Sequence, residues 1–172
     1  MKKVLSLSIL IASALLASQA SAHGRAEHPK HSLVGTERCV PVTDSQIESL
    51  FDRWNSSLAT GDPVAVVKNY AKDSVLLATV SNVPRDTPEE KVDYFTAFLK
   101  KTPQGEINFR HIYKDCNTAI DAGTYTFTLG DGSKVPARYT FTYKYFGKKL
   151  GWLITTHHSS MMPEKADAPA VH

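Results

Sequence analysis

Four consecutive polar residues near the carboxyl end of the chain are the first candidates for chemistry. His157, His158, Ser159 and Ser160 follow an apolar, β-branched segment that starts at Trp152. Such a segment favours a half-buried β-strand. An imidazole with an ordinary pKa of about 6.5 suits hydrogen bonding or general acid–base catalysis. We therefore interpret this stretch as a final strand that carries polar groups into a pocket.

Strand geometry divides these four polar residues between two faces. Successive side chains of a strand point to opposite sides, so His158 and Ser160 share the face of Trp152, whereas His157 and Ser159 share the other. Only one histidine can then face into a pocket unless a bulge intervenes. For the same reason, the two adjacent histidines are poorly placed to bind one metal ion.

Two arginines, an aspartate and three tyrosines in other segments complete the candidate set. Arg110 or Arg138 on a concave strand face could clamp a carboxylate, or could instead be a cation at the rim or edge of a sheet. Asp121 lies in an apolar stretch and needs a partner there. It could form an acid–base dyad with an arginine or histidine, or end a short strand before a bulge. Tyr70 and Tyr125, and also Tyr139, could line a pocket or belong to the core.

Helix signals occupy the first part of the domain, at 43–61, at 62–70 and from 87 to the residue before Pro103. Each begins with a capping residue, and the first carries an apolar stripe with helical spacing. A short β-branched strand is predicted at 74–80, between the second and third helices.

Four strand candidates follow, at 107–113, 119–129, 135–146 and 152–160. The turn signals between them, above all the Asp-Gly pair at 131–132, predict an antiparallel meander. Helices first and antiparallel strands last predict an α+β domain, in which a strongly curved antiparallel sheet packs on three N-terminal helices. Such a sheet forms a cone whose open mouth suits a ligand.

The two ends of the chain have sequences that differ from the domain between them. A pair of lysines, an apolar run and a small-residue cleavage site predict a secretory signal peptide over 1–22. The run is short for a membrane anchor. We expect flexible segments at 23–40 and 164–172, one folded domain at 41–163, and a periplasmic or secreted location.

The charge balance of the chain excludes two classes of partner. The whole chain has a net charge of +3, which falls to +1 without the two lysines of the signal peptide. This balance argues against nucleic acid and anionic membranes, which attract strongly basic surfaces. After cleavage we expect no attachment to a membrane.

Two cysteines and three N-terminal histidines remain to be assigned. An even cysteine count in an exported chain favours a Cys39–Cys116 disulfide, with two buried thiols as the alternative. His23, the first residue after cleavage, could bind copper with His28 or His31, although compositional histidine clusters are weak evidence for a metal. We expect neither a metal nor any other cofactor.

The order of elements resembles the nuclear-transport-factor-2-like (SnoaL-like) superfamily. The segment at about 43–163 resembles more closely the association domain of calcium/calmodulin-dependent protein kinase II and its stand-alone bacterial relatives of the SgcJ/EcaC type. Those domains end in a Trp-x-Ile strand, a His-x-Ser motif and a proline. The matching residues here are Trp152, Ile154, His158, Ser160 and Pro163.

The resemblance implies that His158 points into the cone and that the chain self-associates through its open sheet. Two departures concern the pocket: Ser159 stands where the kinase hub has arginine, and the stretch at 123–125 lacks a second arginine that the hub carries. No kinase motif occurs, so we expect no kinase activity. Export also removes calmodulin and a tethered kinase as partners.

These observations predict an exported, self-associating domain, a homodimer or a larger homo-oligomer, that binds a small polar or anionic molecule. The predicted ligand-binding residues are His158, Ser160, Arg138, Arg110, Tyr125 and Tyr70. One alternative is an enzyme of the same superfamily (an isomerase, dehydratase or oxidoreductase-like protein) with His158 and Asp121 as acid and base. The other is a pure oligomerisation scaffold.

Overall fold

The structure, a computed structural model, describes residues 38–163. The predicted signal peptide at 1–22, the three candidate copper ligands His23, His28 and His31, and the predicted tail at 164–172 lie outside the described residues. Within 38–163, no helix has both the length and the apolar character needed to span a membrane.

Three helices precede most of the sheet, as predicted. They are α1 (Asp44–Leu58), α2 (Pro63–Val67) and α3 (Pro88–Phe98), the last continued by a 3-10 turn at Leu99–Lys101. Both predicted capping boxes form, at the starts of α1 and α3. They satisfy backbone N–H groups that have no partner within the helix.

Five strands form one sheet in the order β1-β5-β4-β3-β2. Their bounds are β1 (Tyr70–Leu77), β2 (Gln104–Asp115), β3 (Thr118–Thr128), β4 (Lys134–Tyr145) and β5 (Trp152–Met161). The last four form the predicted antiparallel meander. The first strand pairs in parallel with β5, and it begins at Tyr70, where the second helix had been expected to end. The predicted α+β architecture is confirmed, with a mostly antiparallel sheet.

Aromatic rings fill the space between α1 and the sheet. Phe51 and Trp54 project from α1 and meet Tyr125, Tyr139 and Phe141 of the two central strands, with ring centroids 5.4 to 6.5 Å apart. All five side chains are at most 3% exposed. We call the sheet face that packs on α1 the inner face and the opposite one the outer face.

The predicted Cys39–Cys116 disulfide is present, with the two Cα atoms 4.8 Å apart. A second link strengthens this junction, because Val40 N–H donates to Asn117 Oδ1 over 2.9 Å. Together they hold the segment before α1 against the β2–β3 turn.

Two strands contain a bulge, and both bulges decide which side chains face inward. In β2, Ile107 pairs with Tyr125 but Phe109 pairs with Thr124, so Asn108 is an extra residue. A bulge reverses the alternation of faces beyond it. Residues after Asn108 therefore present their side chains to the faces opposite those expected from simple alternation.

The second bulge lies in β5 at Thr155. Tyr143 pairs with Ile154, and Thr142 pairs with Thr156, so Thr155 has no paired residue on β4. The polar end of β5 follows directly, so this single residue determines which of its side chains enter the interior.

Candidate functional site

The β5 bulge places His157 on the inner face and His158 on the outer face, the reverse of the prediction. His157 is 4% exposed, whereas His158 lies on the outer face and is exposed. Ile154 and His157 both face inward although they are three positions apart, because Thr155 adds a residue between them. The prediction that His158 points into the cone is therefore wrong.

Two further predicted pocket residues also lie on the outer face. Arg138 and Ser160 pair directly across β4 and β5; Arg138 is exposed and Ser160 is half-buried. Ser159 takes the interior position instead and is 5% exposed. The proposed dyad of His158 with Asp121 is also contradicted, since Asp121 is fully buried on the inner face.

Four of the predicted residues do reach the interior: Arg110, Asp121, Tyr70 and Tyr125. Arg110 enters because the Asn108 bulge turns it inward. Tyr125 and Tyr70 belong to two different hydrogen-bonded groups, described below. Tyr139, which was also a possible pocket residue, faces inward as well. Sequence reasoning missed Tyr143 as an interior polar residue, although its alternation with Tyr139 and Phe141 along β4 marks a common inward face.

A charged group of three residues occupies one part of the interior; we call Arg110, Asp121 and Tyr139 the ionic cluster. Arg110 Nε lies 3.2 Å from Asp121 Oδ1, and the Tyr139 hydroxyl donates to the same oxygen over 2.8 Å. The Arg110 guanidinium also lies 5.6 Å from the centre of the Phe51 ring, a favourable cation–π distance. The Arg110 side chain keeps 17% exposure, so the cluster reaches the surface only through this residue.

Burial is the main influence on protonation in the ionic cluster. It raises the pKa of the Asp121 carboxyl, although the Tyr139 hydrogen bond and the Arg110 charge oppose this shift. Burial and the neighbouring Asp121 carboxylate together raise the Tyr139 pKa. Tyr139 is therefore a hydrogen-bond donor at neutral pH.

Gly123 allows Arg110 to take its place in this cluster. The two residues pair across β2 and β3, and a Cβ on Gly123 would lie 1.9 Å from the Phe109 carbonyl oxygen. Only glycine tolerates this approach. The strand at 123–125 lacks the arginine that the resemblance implies, but Arg110 brings a guanidinium into the interior from the neighbouring strand.

A second interior group is uncharged; we call Trp54, Tyr70 and His157 the neutral chain. Trp54 Nε1–H donates to the Tyr70 oxygen over 3.0 Å, and Tyr70 lies 2.8 Å from His157 Nδ1. Because indole is only a donor, the arrangement that leaves the fewest buried groups unpaired directs the Tyr70 proton to Nδ1. The His157 proton then resides on Nε2.

His157 is kept neutral by its surroundings. Its ring stacks on Phe141 with centroids 4.0 Å apart. Burial lowers its pKa to about 3, with the nearby His158 contributing in the same direction. A histidine of this kind donates a hydrogen bond from Nε2 but does not act as a general acid near neutral pH.

A small cavity lies between α3 and the inner face, beside His157. Its volume is about 20 Å³, and its walls include Ser159, Tyr125, Phe95 and Phe98. The Tyr125 hydroxyl donates to Ser159 Oγ over 2.6 Å. A space of this size holds roughly one water molecule, so the cone interior is nearly filled by its own side chains.

Unsatisfied hydrogen-bonding groups mark this interior as more than a packed core. Within 38–163, four buried side-chain atoms have no hydrogen-bond partner in the protein: Arg110 Nη2, Asp121 Oδ2, Tyr143 Oη and His157 Nε2. Such groups are uncommon in folded proteins and each calls for a partner. The same range contains no group of three His, Cys, Asp or Glu side chains placed to hold a metal ion.

Comparison with proteins of known structure identifies the fold. A crystal structure of a candidate calcium/calmodulin dependent protein kinase II association domain from Xanthomonas campestris is 45% identical, covering 75% of this chain and 98% of that one, with a TM-score of 0.66. A candidate NTF2-like dehydratase from Streptomyces avermitilis is 14% identical over 70% of this chain and 96% of that one, with a TM-score of 0.62.

A third structure, a candidate ketosteroid isomerase from Parabacteroides distasonis, is 17% identical over 69% of this chain and 86% of that one, with a TM-score of 0.54. At these low identities the last two show a shared fold alone. A search of curated proteins gave no match.

A family model matches most of the described domain. Residues 43–163 fit the model of the calcium/calmodulin dependent protein kinase II association domain. The resemblance predicted from the sequence is confirmed at both levels, the NTF2-like fold and the narrower family. The chain therefore belongs to the calcium/calmodulin dependent protein kinase II association domain family.

Proposed function

We propose that this chain is an exported association domain that self-associates through the outer face of its sheet and holds a small polar molecule in its interior. The observation that carries the proposal is the apolar patch on that outer face. Phe109 is 62% exposed, Tyr113 is 61% exposed and Ile120 is 39% exposed.

The three side chains share the outer face of two neighbouring strands, with the exposed His111 between Phe109 and Tyr113. Tyr113 and Ile120 pair directly across β2 and β3, and Phe109 shares the outer face of β2 with Tyr113 beyond the bulge. Contiguous exposed apolar surface commonly marks an interaction site. A closed dimer requires one patch that meets its own copy, and an open sheet face offers such a surface.

Light scattering during size-exclusion chromatography tests self-association. We expect a dimer or larger assembly for the natural protein and a monomer for Phe109→Asp, because a carboxylate would be buried at the interface. Val83→Asp is the matched control, since Val83 is 57% exposed but lies outside the sheet. A natural protein that is monomeric at tens of micromolar would contradict the proposal.

The interior part of the proposal is supported by the unpartnered atoms of the ionic cluster. Arg110 Nη2 can donate and Asp121 Oδ2 can accept. A hydroxyl or amide group does both. Because Asp121 already balances the charge of Arg110, a neutral polar molecule is favoured over an anion. The small cavity beside His157 does not include Arg110 or Asp121, so a ligand would reach the ionic cluster past the partly exposed Arg110 side chain.

Thermal-shift measurements with small amides, alcohols and their matching carboxylates test the interior site. We expect the neutral compounds to stabilise the protein and Arg110→Met to abolish that effect. His158→Ala is the control, because His158 lies on the outer face and should leave affinity unchanged. Equal stabilisation of the natural protein and Arg110→Met would remove the ionic cluster from the proposal. Cell fractionation of the native host tests export separately.

Catalysis is the second candidate, favoured by the environment of Asp121. Its carboxyl is fully buried, its pKa is raised by burial, and Oδ2 has no partner. These properties suit a general base. Exchange of the α-protons of small ketones into deuterated water, followed by NMR, tests this idea. Exchange that persists in Asp121→Asn would exclude Asp121 as the base.

A further inference from the structure

A groove on the helical side of the domain is separate from the outer face and the ionic cluster, although Tyr70 of the neutral chain contributes to its wall. It lies between α2, the first residues of β1, the start of α3 and the β4–β5 turn, and its volume is about 530 Å³. Small-molecule sites typically enclose roughly 300–1,000 Å³. The groove is therefore large enough for a ligand, unlike the small cavity inside the cone.

The groove has an apolar wall on each side. Val64 of α2 is 50% exposed and Leu150 of the β4–β5 turn is 56% exposed, and both line the groove. Val67, Val92 and Leu153 add partly buried apolar surface. Filling the groove with a hydrocarbon chain would remove this surface from water, which is favourable in proportion to area.

Every charged side chain that lines the groove is a lysine; we call it the lysine groove. Lys68, Lys72 and Lys149 are exposed, and Lys91 is buried. Within residues 38–163, the ion pairs involve Arg110 and Lys114 and none of these four. Four ammonium groups without a close carboxylate favour a negatively charged occupant.

Lys91 is the most unusual member of the set. Its side chain is fully buried, and its ammonium group makes one long hydrogen bond, 3.4 Å to the Thr87 carbonyl oxygen. Four carboxylates act on it from a distance, those of Asp86, Glu90, Asp73 and Glu89, but none forms an ion pair with it among residues 38–163. Glu90 Oε2 instead accepts the backbone N–H groups of Asp86 and Thr87. A buried ammonium group that lacks a close counterion is costly.

We propose that the lysine groove binds a single-chain anionic amphiphile, namely an alkyl carboxylate. The chain lies between Val64 and Leu150, and the carboxylate lies among the lysines, with Lys91 at the base. Two features of the groove argue for this occupant together. An apolar ligand would not require four lysines, and a compact anion would not require the apolar walls.

The test uses octanoate as the probe, with octanol and octylammonium as neutral and cationic partners of the same chain length. Calorimetry and two-dimensional NMR of the full-length mature protein report affinity and location. We expect saturable binding of octanoate, at least tenfold weaker binding of octanol, and no binding of octylammonium. Shifts of amide signals should centre on Val64, Lys91 and Leu150.

Two triple variants separate the groove from general surface charge. Lys68→Gln, Lys72→Gln and Lys149→Gln together should weaken octanoate at least tenfold. The matched control replaces three exposed lysines elsewhere, Lys100→Gln, Lys101→Gln and Lys134→Gln, and should leave affinity unchanged. All six positions are exposed, so both variants should fold. When Lys91→Met, which keeps the apolar stem, is added to the groove variant, octanoate binding should weaken further.

Three outcomes would overturn the proposal. Octanol could bind as tightly as octanoate, which would make the lysines irrelevant. The control variant could lose as much affinity as the groove variant, which would indicate unspecific attraction. Finally, the protein could bind anionic phospholipid vesicles while octanoate alone shows no saturable binding, which would point to a membrane surface.

Discussion

The ionic cluster and the neutral chain lie in the same interior, but their buried polar groups are stabilised in different ways. In the ionic cluster, a full charge pair is buried on one side only, since Arg110 keeps 17% exposure. In the neutral chain, each of the three groups is at most 6% exposed, and proton donation runs in one direction from Trp54 to His157.

This difference indicates a structural role for the neutral chain and an adaptable role for the ionic cluster. The neutral chain assigns one proton to each of its bonds and leaves only the Nε2 proton of His157 without a partner. The ionic cluster places two donors on one carboxylate oxygen and leaves the other oxygen unused. We therefore expect the neutral chain to be a rigid structural element and the ionic cluster to be the place where a ligand changes the interactions.

The largest effect should come from removing the carboxylate of the ionic cluster. Asp121→Ala leaves the Arg110 guanidinium without its counterion, which costs about 3 to 5 kcal/mol for a buried pair. The remaining exposure of Arg110 places the expected loss near the lower limit. Urea unfolding measures it, and Asp121→Asn, which keeps the Tyr139 hydrogen bond, should lose less. A loss below about 1 kcal/mol would mean that Arg110 is solvated rather than paired.

A nearly equal loss of stability is expected from a substitution at Gly123, the residue that allows Arg110 to enter the interior. Gly123→Ala places a methyl group 1.9 Å from the Phe109 carbonyl oxygen, so β2 must shift. Overpacking of this kind costs about 1 to 3 kcal/mol, and a rigid backbone neighbour favours the upper end. Gly132→Ala in the β3–β4 turn is the contrasting variant: its methyl group meets no atom within 4 Å, and its cost comes only from the positive φ of 83°. Hydrogen exchange of β2 amides would show whether the shift occurs.

The helices and the antiparallel meander were predictable because their signals are local, whereas the parallel pairing of β1 with β5 was not predicted. A capping box is made by residues three positions apart, so Thr43 with Gln46 and Thr87 with Glu90 could be recognised directly. The Asp-Gly turn and the alternating tyrosines of β4 are equally short-range. The disulfide was predicted from cysteine count and compartment, which bear on pairing without requiring knowledge of distance.

The identity of the inward histidine was not predictable in the same way. It depends on the extra residue at Thr155, and that residue is extra only relative to the pairing of β4 with β5. No local feature of Thr155 separates it from the neighbouring Thr156. The Asn108 bulge presents the same difficulty in β2. One unrecognised bulge changes the face of every residue beyond it, which is why His158 was assigned to the interior in place of His157.

Acid should affect the two interior groups with opposite signs. The His157 pKa is about 3 in the folded protein and about 6.5 in the unfolded chain, so the unfolded chain binds the proton first. Stability is then lost as the pH falls below about 6.5, by about 2.5 kcal/mol between about pH 7.5 and pH 4.5. Asp121, with a raised pKa, binds its proton more readily when folded and opposes this loss.

Urea unfolding across this pH range measures how much of the pH dependence of stability comes from His157. His157→Gln should flatten the dependence on pH above about 4.5, whatever its effect on stability at neutral pH. His158→Gln is the adjacent control, and most of the pH dependence should remain in it, because burial contributes more than His158 to the lowered His157 pKa. If the two variants gave equal slopes, burial of His157 would not be the source of the acid sensitivity.

The smallest expected effect compares one tyrosine hydroxyl from each group. Tyr70→Phe removes the only described partner of both Trp54 Nε1 and His157 Nδ1. Each unsatisfied buried group costs about 1 to 3 kcal/mol, so two groups give a loss of at least about 2 kcal/mol. Tyr139→Phe leaves Asp121 Oδ1 bonded to Arg110 and should cost about 1 kcal/mol.

Thermal and urea unfolding of both variants measure this difference, and the His157 ring signals in NMR add a readout specific to the neutral chain. Loss of the Tyr70 proton frees His157 to change tautomer, so its ring nitrogen shifts should move in Tyr70→Phe and stay in place in Tyr139→Phe. Equal losses in the two variants, with unchanged nitrogen shifts, would mean that the His157 tautomer does not depend on Tyr70. In that case the two groups would not differ in rigidity, and the interior could not be divided into a structural part and an adaptable part.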